Sequence, residues 1–205
     1  MRREMIRPVI NLLYNFHWIA EGEASRSAQP YIGLWQTFLS VNGIRTVINL
    51  RGAHPEWGWW RTETRVCAKM GIAHFDTPLN SRKLPKRAQL TALINAFDAA
   101  LRPILIKCSG GQDRTSFAAA VYLVHRKGWD AAGEAQAHFS GFPYLHFPKQ
   151  NQRWLRYFLD YAKLRADGAP ISAWFRDGYD PADLAAWLTA NGHGKSFKGI
   201  LELTA

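Results

Sequence analysis

The chain has 205 residues, 47% of them hydrophobic, and a formal net charge of +10 at pH 7. This length fits one domain of ordinary size with at most a small addition, and the hydrophobic content excludes a disordered chain. The positive charge favours anionic partners: phosphorylated molecules, nucleic acid or an acidic membrane surface. Two cysteines, Cys67 and Cys108, are too few for a disulfide scaffold and favour a reducing compartment, so we expect a cytoplasmic protein.

The N-terminal segment combines basic residues with an apolar stretch. Three arginines lie within residues 1–7, and the apolar stretch from Pro8 to Ala20 is interrupted by Asn11, Asn15 and His17. This stretch is too short to span a membrane, and it has no convincing signal cleavage site. We therefore expect a soluble protein, and peripheral contact with a membrane stays open.

The remaining sequence alternates short apolar runs with amphipathic segments. Strands are predicted at 16–20, 24–29, 46–50, 72–76 and 104–106. Helices are predicted at 30–43, 55–70, 85–101, 117–125, 130–139, 149–165 and 181–190. Because strands and helices alternate between residues 44 and 126, we predict an α/β fold, a three-layer sandwich whose central, mostly parallel sheet is flanked by helices.

The strand at 104–106 leads into a segment with the composition of a phosphate-binding loop. Cys108 is followed by five residues, and then Arg114 and Thr115 begin a helix; the five are Ser109, Gly110, Gly111, Gln112 and Asp113. The glycines let backbone N–H groups turn inward, and the helix N-terminus adds donors and a positive dipole end. The fork of Arg114 fits two phosphate oxygens, and the same positive field lowers the pKa of a cysteine and creates a nucleophilic thiolate.

Two other interpretations of this segment compete with a catalytic loop. One is an inert buried thiol in an ordinary strand–loop–helix turn, and the other is a nucleotide-binding P-loop. The P-loop is disfavoured because its Gly-Lys-Ser/Thr ending is missing. The order of glycines, arginine and threonine after a strand favours catalysis over the inert thiol.

The spacing of cysteine, five residues, arginine and threonine is similar to the signature of the cysteine-based protein tyrosine and dual-specificity phosphatases. Residues 26–30 and 46–51 also resemble the entry and first core strand of compact bacterial and fungal members. The resemblance covers roughly residues 16–165. It implies a catalytic domain over residues 1–166. The segment 167–170 has the composition of a linker, so we predict a C-terminal helical appendage of unknown role over residues 171–205.

The resemblance also implies roles for the residues of the loop. Cys108 would form a phosphocysteine, Arg114 would bind the phosphate, and the Thr115 hydroxyl would help the thiolate leave when water cleaves the intermediate. No cofactor and no metal is expected. Two positions depart from the family, because Lys107 stands where histidine is usual and Ser116 where many members have glycine. The ammonium of Lys107 favours the thiolate only if it faces the site. The direction of this side chain stays open.

A leaving group also needs a proton, and two aspartates are candidates for the general acid. Asp76 ends the strand at 72–76, and the ends of neighbouring parallel strands meet at one edge of a sheet, so Asp76 is our first prediction. The resemblance implies an acid in the corresponding place. Asp113 is the alternative, because Gln112-Asp113-Arg114-Thr115 is similar to the loop of myotubularins and of bacterial phosphatases with Lys-Asp-Arg-Thr. An aspartate there is an acid or an organiser of the loop.

Basic residues near these positions predict a substrate rim. They are Arg51, Arg82, Lys83 and Lys86, with Arg87 beside them. The alternative is an ordinary solvated start of a helix.

The expected function is an enzyme that hydrolyses phosphotyrosine, with phosphoserine or phosphothreonine as further substrates, in proteins. One alternative keeps the chemistry but takes a phosphoinositide, another phospholipid or an inositol phosphate. An alternative of another class is a non-catalytic phosphate-binding module. We expect no nucleic-acid partner because no recognised binding motif accompanies the charge. Cys67 is interpreted as a buried structural cysteine, with a protective disulfide to oxidised Cys108 as the alternative; the oligomeric state stays open.

Overall fold

The structure, a computed structural model, describes residues 2–30 and 33–202, with side chains from residue 6 onward. The strands are β1 His17–Ala20, β2 Ala24–Ser27, β3 Thr46–Asn49, β4 Ala73–Asp76 and β5 Ile104–Lys107. The helices are α1 Arg2–Leu13, α2 Trp35–Val41, α3 Gly58–Met70, α4 Arg87–Ala99, α5 Asp113–Lys127, α6 Ala132–Ala137, α7 Trp154–Ala166, α8 Ile171–Asp177 and α9 Pro181–Ala190. All five predicted strands are present, and residues 31 and 32 of the helix predicted at 30–43 lie outside the described residues.

The five strands form one sheet in the order β1-β2-β5-β3-β4. Strand β1 is antiparallel to β2, and the other neighbours are parallel, which confirms the predicted mostly parallel sheet. The carboxyl ends of β2, β5, β3 and β4 therefore meet at one edge, which we call the C-terminal edge. The start of β1 lies there too, because His17 pairs with Arg26 near the end of β2.

Side chains on the two faces of the sheet build two separate cores. Val47 and Leu105 pack into a cluster with residues of α1, α2 and α3. Ile48, Ile104 and Ile106 face the other way, into a larger cluster with residues of α4 to α9. Both faces are buried, as the continuous apolar runs of β3 and β5 indicate. The sandwich has three layers, as predicted.

The C-terminal residues pack into the larger of these cores. Trp174 and Phe175 of α8 are buried in the same cluster as the sheet residues. The backbone near residue 200 also pairs with Leu84, whose N–H donates to the Gly199 carbonyl at 2.9 Å and whose carbonyl accepts from the Leu201 N–H at 2.8 Å. The residues predicted to form an appendage thus share the core of the preceding part. The division into a catalytic domain and an appendage stays a prediction.

Helix α1 has no counterpart among the sequence predictions. Its polar residues had looked like interruptions of an apolar stretch, but Asn11 lies on the packed side of the helix. The Asn11 and Asn42 amides donate to each other's carbonyl oxygens at 3.1 and 2.9 Å, which fastens α1 to the end of α2. Among the helices that the structure describes, none is long and apolar enough to cross a membrane.

Candidate active site

The loop after β5 lies at the C-terminal edge with its carbonyl groups turned outward. The Ser109 carbonyl accepts from the Gln29 N–H at 3.0 Å, and the Gly111 carbonyl accepts from the Asn15 side-chain amide at 3.0 Å. Because these carbonyls point away, the N–H groups of the same peptides face the interior of the loop. Helix α5 begins at Asp113 directly behind them. The arrangement is an anion-binding nest of backbone donors at a helix N-terminus.

Gly111 is required by the close approach of the loop to β2. Its φ of +62° lies in the left-handed region, where a side chain is strained. A Cβ at this position would also overlap backbone atoms of Ser27 and Ala28. A glycine therefore allows the loop to curl tightly against the end of β2.

Cys108 lies at the centre of this nest. Its Sγ accepts a hydrogen bond from the Thr115 hydroxyl at 3.0 Å. Burial alone would raise the pKa of the thiol, but the nearby Arg114 charge, the Thr115 hydroxyl and the N–H groups of Gln112 and Gly111 together lower the pKa of Cys108 below its ordinary value. The Cys108 thiol therefore ionises more readily than that of an ordinary cysteine.

Arg114 lies beside the thiol with its guanidinium held from two sides. One Nη donates to the Ser109 hydroxyl at 3.0 Å, and the other donates to the Leu50 carbonyl at 3.3 Å. Arg114 and Cys108 line the same pocket, whose volume is about 220 Å³. Thiol, guanidinium and inward-facing amides thus surround a space in which a phosphate group fits.

Asp113 lines this same pocket and lies close to two side chains from distant parts of the chain. Its Oδ2 accepts from the Gln152 amide at 2.9 Å, and its Oδ1 lies 3.2 Å from Nδ1 of the fully buried His146. The Gln152 amide also donates to the Ser81 hydroxyl at 2.8 Å. Gln152 and Ser81 line the pocket as well. The Asp113 carboxyl group therefore lies in the pocket and is oriented by the Gln152 amide.

Asp76 ends β4 but does not line the pocket that contains Cys108. Asp76 pairs in register with Asn49, and Asn49 pairs with Lys107, so two strand spacings of about 4.8 Å separate it from the start of the loop. Its carboxylate accepts from the Asn49 amide at 2.6 Å and from the Trp60 indole at 3.0 Å. The structure thus brings Cys108 and Asp113 together and leaves Asp76 in a different set of contacts.

The predicted basic rim is divided by the fold. Arg82 lines a second pocket of about 240 Å³, which also includes Arg114 and therefore adjoins the loop after β5. Arg51 instead stacks on Trp59, with its Cζ 3.5 Å from the ring centre. Lys83 and Lys86 line neither pocket. Of the four rim residues, Arg82 thus shares a pocket with Arg114.

Lys107 points away from the pocket. Because side chains alternate along β5, Lys107 lies on the same face as Leu105. Its buried ammonium donates to Glu63 Oε2 at 2.6 Å and to Gln29 Oε1 at 2.7 Å, and Glu63 also contacts His74 at 2.8 Å. Burial lowers the pKa of Lys107 to about 8, which the Glu63 carboxylate opposes. This departure from the phosphatase signature is accommodated by a buried ion pair behind the loop.

Arg26 is a positioning residue that the sequence analysis did not single out. It is fully buried on β2, and one Nη donates to the Gly111 carbonyl at 2.8 Å and to the Ser116 hydroxyl at 2.9 Å. The other Nη lies 3.1 Å from Nδ1 of His138, whose pKa is lowered to about 3 by burial and by the Arg26 charge. His138 is therefore neutral and able to accept. Ser116, the second departure from the signature, serves as a partner of Arg26.

Replacing Arg26 by lysine is expected to lower turnover by about 10²-fold, because the loop carbonyls lose the planar donor that holds them outward. The loop N–H groups that lower the pKa of Cys108 then no longer point at the sulfur, so this pKa rises. The acidic limb of the pH–rate profile should therefore move to higher pH. Ser116→Gly removes one partner of Arg26 and is the matched control, with a much smaller effect expected. A lysine variant that melts normally and keeps the wild-type pH profile would contradict this role.

The fold that presents this site is the fold of solved phosphatase structures. A mutant form of Tk-PTP has a TM-score of 0.56 and 18% identity over 73% of this chain and 97% of its own. A putative phosphatase from Shewanella putrefaciens has a TM-score of 0.53 and 17% identity, over 75% and 97% of the two chains. PTPMT1 has a TM-score of 0.52 and 19% identity, over 74% and 98%. The sequence matches no protein-family model and no curated protein sequence.

Proposed function

We propose that the chain is a cysteine-dependent phosphatase that hydrolyses phosphomonoesters through a phosphocysteine intermediate. The observation that carries the proposal is the convergence of three features on one pocket: the Cys108 thiol with its lowered pKa, the Arg114 guanidinium and the inward-facing loop amides. A non-catalytic phosphate-binding module needs the amides and the arginine but has no use for an activated thiol. The Thr115 hydroxyl on the sulfur is likewise a feature of catalysis rather than of binding.

In the first step, the Cys108 thiolate attacks phosphorus. The S–P bond forms, the bond from phosphorus to the leaving oxygen breaks, and that oxygen takes a proton from the general acid. Arg114 and the loop amides hold the equatorial oxygens, and their contribution is electrostatic. The thiolate must be present, so activity falls as the pH drops through the lowered pKa of Cys108.

In the second step, water cleaves the phosphocysteine. The water oxygen bonds to phosphorus, the S–P bond breaks, and the carboxylate left by the first step accepts the water proton. Inorganic phosphate leaves and the thiolate is restored. The Thr115 hydroxyl, 3.0 Å from Sγ, stabilises the departing thiolate. Gln152, which lines the pocket and donates to Asp113, orients that carboxylate.

Of the two candidate acids, the geometry favours Asp113. Its carboxyl group lines the pocket together with Cys108, whereas Asp76 does not line that pocket and its carboxylate accepts from the Asn49 and Trp60 side chains. A general acid must reach the leaving oxygen, and geometry is the first criterion for it. The segment between β4 and α4, residues 77–86, contains no aspartate or glutamate. Asp76 remains the competing assignment.

Asp113→Asn is expected to lower turnover of phosphotyrosine by about 10²-fold or more, while hydrolysis of para-nitrophenyl phosphate falls far less. The difference arises because para-nitrophenol has a low pKa, so its phenolate leaves without being protonated. The phenolate of tyrosine is a poorer leaving group and needs a proton from the general acid. Asp76→Asn is the matched control and should affect both substrates equally. The measurement is the ratio of kcat/KM for the two substrates in each variant. A changed ratio in Asp76→Asn alone would reverse the assignment.

For the substrate, we propose phosphotyrosine in proteins first, with phosphoserine and phosphothreonine as further substrates. The alternative is a phosphoinositide, another phospholipid or an inositol phosphate. It is favoured by the second pocket, where Arg82 lies next to Arg114 and offers a cation to another phosphate. A phosphate-release screen of all these classes, run beside Cys108→Ser, distinguishes them. Loss of inositol phosphate hydrolysis in Arg82→Ala, with phosphotyrosine hydrolysis intact, would favour the alternative.

We also propose a cytoplasmic location, which the two free cysteines support. Cys67 is buried and its pKa is raised to about 12, by burial first and then by Glu63. It packs in the core on the opposite face of the sheet from the core that contains Cys108. We therefore propose that Cys67 is structural rather than a redox partner of Cys108.

A further inference from the structure

Helix α1 turns an apolar face to solvent. Leu12 is 84% exposed, Val9 58% and Leu13 57%, and Ile6 is exposed as well, whereas Ile10 on the other side is buried. At 100° per residue, the exposed four lie within one arc of the helix. The packed side carries the buried Ile10 and also Asn11, which bonds to Asn42 at the end of α2. A surface helix whose outer side meets only water carries polar residues on that side.

A second apolar element extends this surface from a distant part of the chain. Phe142 is 79% exposed and Phe147 66%, and their rings lie 6.0 Å apart. Phe142 and Leu12 line one groove of about 480 Å³, together with Pro143 and Leu145. We call the exposed set the apolar platform; its members are Ile6, Val9, Leu12, Leu13, Phe142 and Phe147. Contiguous apolar surface of this kind marks an interaction site.

The platform lies beside the catalytic loop. Asn15, two residues beyond α1, donates to the Gly111 carbonyl at 3.0 Å and to the Tyr144 carbonyl at 3.4 Å. One side chain therefore joins the end of α1, the catalytic loop and the segment that carries Phe142. The start of β1, which follows Asn15, lies at the C-terminal edge where the loop is found. Whatever covers the platform is brought close to the catalytic loop.

The positive charge of the protein favours an anionic binding partner for the apolar platform. The net charge is +10, and exposed Lys149 follows Phe147 by two positions. A helix with an apolar face, on a protein of net positive charge, binds in the headgroup region of an anionic bilayer. A second copy would bring another net charge of +10 to the platform, which opposes pairing.

We propose that the apolar platform docks on an anionic membrane surface. The docking holds the catalytic loop at that surface, so the enzyme acts on phosphorylated groups attached to the membrane; this second part rests on the proposed phosphatase function. Membrane binding itself is independent of catalysis.

The test is co-sedimentation of the full chain with vesicles of phosphatidylserine and phosphatidylcholine, compared with phosphatidylcholine alone. We expect binding to the anionic vesicles that weakens with added salt. Leu12→Asp and Phe142→Asp should each lower the partition coefficient by about tenfold, because an apolar contact is lost and a negative charge is added. Leu101→Asp is the matched control: Leu101 is 53% exposed but lies before β5, at the opposite edge of the sheet.

Two further measurements separate docking from catalysis and from misfolding. Cys108→Ser should bind vesicles like the wild type, and both platform variants should hydrolyse soluble para-nitrophenyl phosphate normally. Binding that is unchanged in both platform variants, or absent in the wild type, would overturn the proposal. So would a dimer that both platform variants convert to a monomer, because a second copy would then cover the platform.

Discussion

Replacing Cys108 by serine is expected to lower kcat for para-nitrophenyl phosphate by about 10⁴-fold or more, because the nucleophile is removed. A serine hydroxyl does not ionise in the field that lowers the pKa of the thiol. The phosphate-binding groups proposed above, Arg114 and the loop amides, do not depend on the sulfur. The variant should therefore still bind vanadate or a phosphorylated ligand. Steady-state turnover and ligand-dependent melting measure the two effects separately.

Cys67→Ala is the matched control for this variant, because Cys67 is the other cysteine of the chain. Its raised pKa and its position in the core on the other face predict normal kcat after substitution. An alkylating reagent at neutral pH should modify Cys108 first, and bound phosphate should protect it. Substantial turnover by Cys108→Ser, with a metal chelator present, would exclude thiolate chemistry altogether.

Arg114→Lys is expected to lower kcat by about 10²- to 10³-fold, nearly as much as Arg114→Ala. Lysine keeps the positive charge but lacks the planar fork that binds two oxygens of the transferring phosphoryl group. Its N–H donors share a single nitrogen, so the contacts that the two Nη atoms make to Ser109 and Leu50 are not reproduced. Measuring kcat and KM for both variants separates transition-state stabilisation from binding.

Arg82→Lys serves as the control for a conservative change at a neighbouring cation. Arg82 borders the second pocket and not the one with Cys108, so kcat for a small aryl phosphate should stay close to that of the wild type. Turnover by Arg114→Lys within a few-fold of the wild type would show that Arg114 acts as a point charge and not as a bidentate ligand.

The parts of the fold that local sequence determines were predictable. The five predicted strands are present, and the helix predicted at 181–190 is α9 at the same bounds. The loop was predictable as well, because cysteine, glycines, arginine and threonine are contiguous in sequence. Local patterns are sufficient where the interacting groups are close neighbours in the chain.

What the sequence did not predict depends on contacts between distant residues. Arg26 looks like a charge within a strand, and only the fold places it against the Gly111 carbonyl. Gln152 and His146 reach Asp113 from segments more than thirty residues along the chain. Asp76 stays a prediction from strand order, and the Asn49 and Trp60 side chains that bind its carboxylate are not evident from the sequence. The one signal for Arg26 in the sequence is a charged residue in the middle of a predicted strand, a position that a central sheet buries.

The central claim is that phosphate is transferred through Cys108, and rapid quenching tests it most directly. Thr115→Ala is used beside the wild type, because loss of the hydroxyl on Sγ slows departure of the thiolate and lets the intermediate accumulate. The enzyme is mixed with an aryl phosphate, quenched within a turnover and digested for peptide mapping by mass spectrometry. We predict one phosphoryl group on the peptide of the catalytic loop, attached to Cys108 and absent from Cys108→Ser. A phosphoryl group on another residue, or turnover with no phosphorylated enzyme in either protein, would contradict the account.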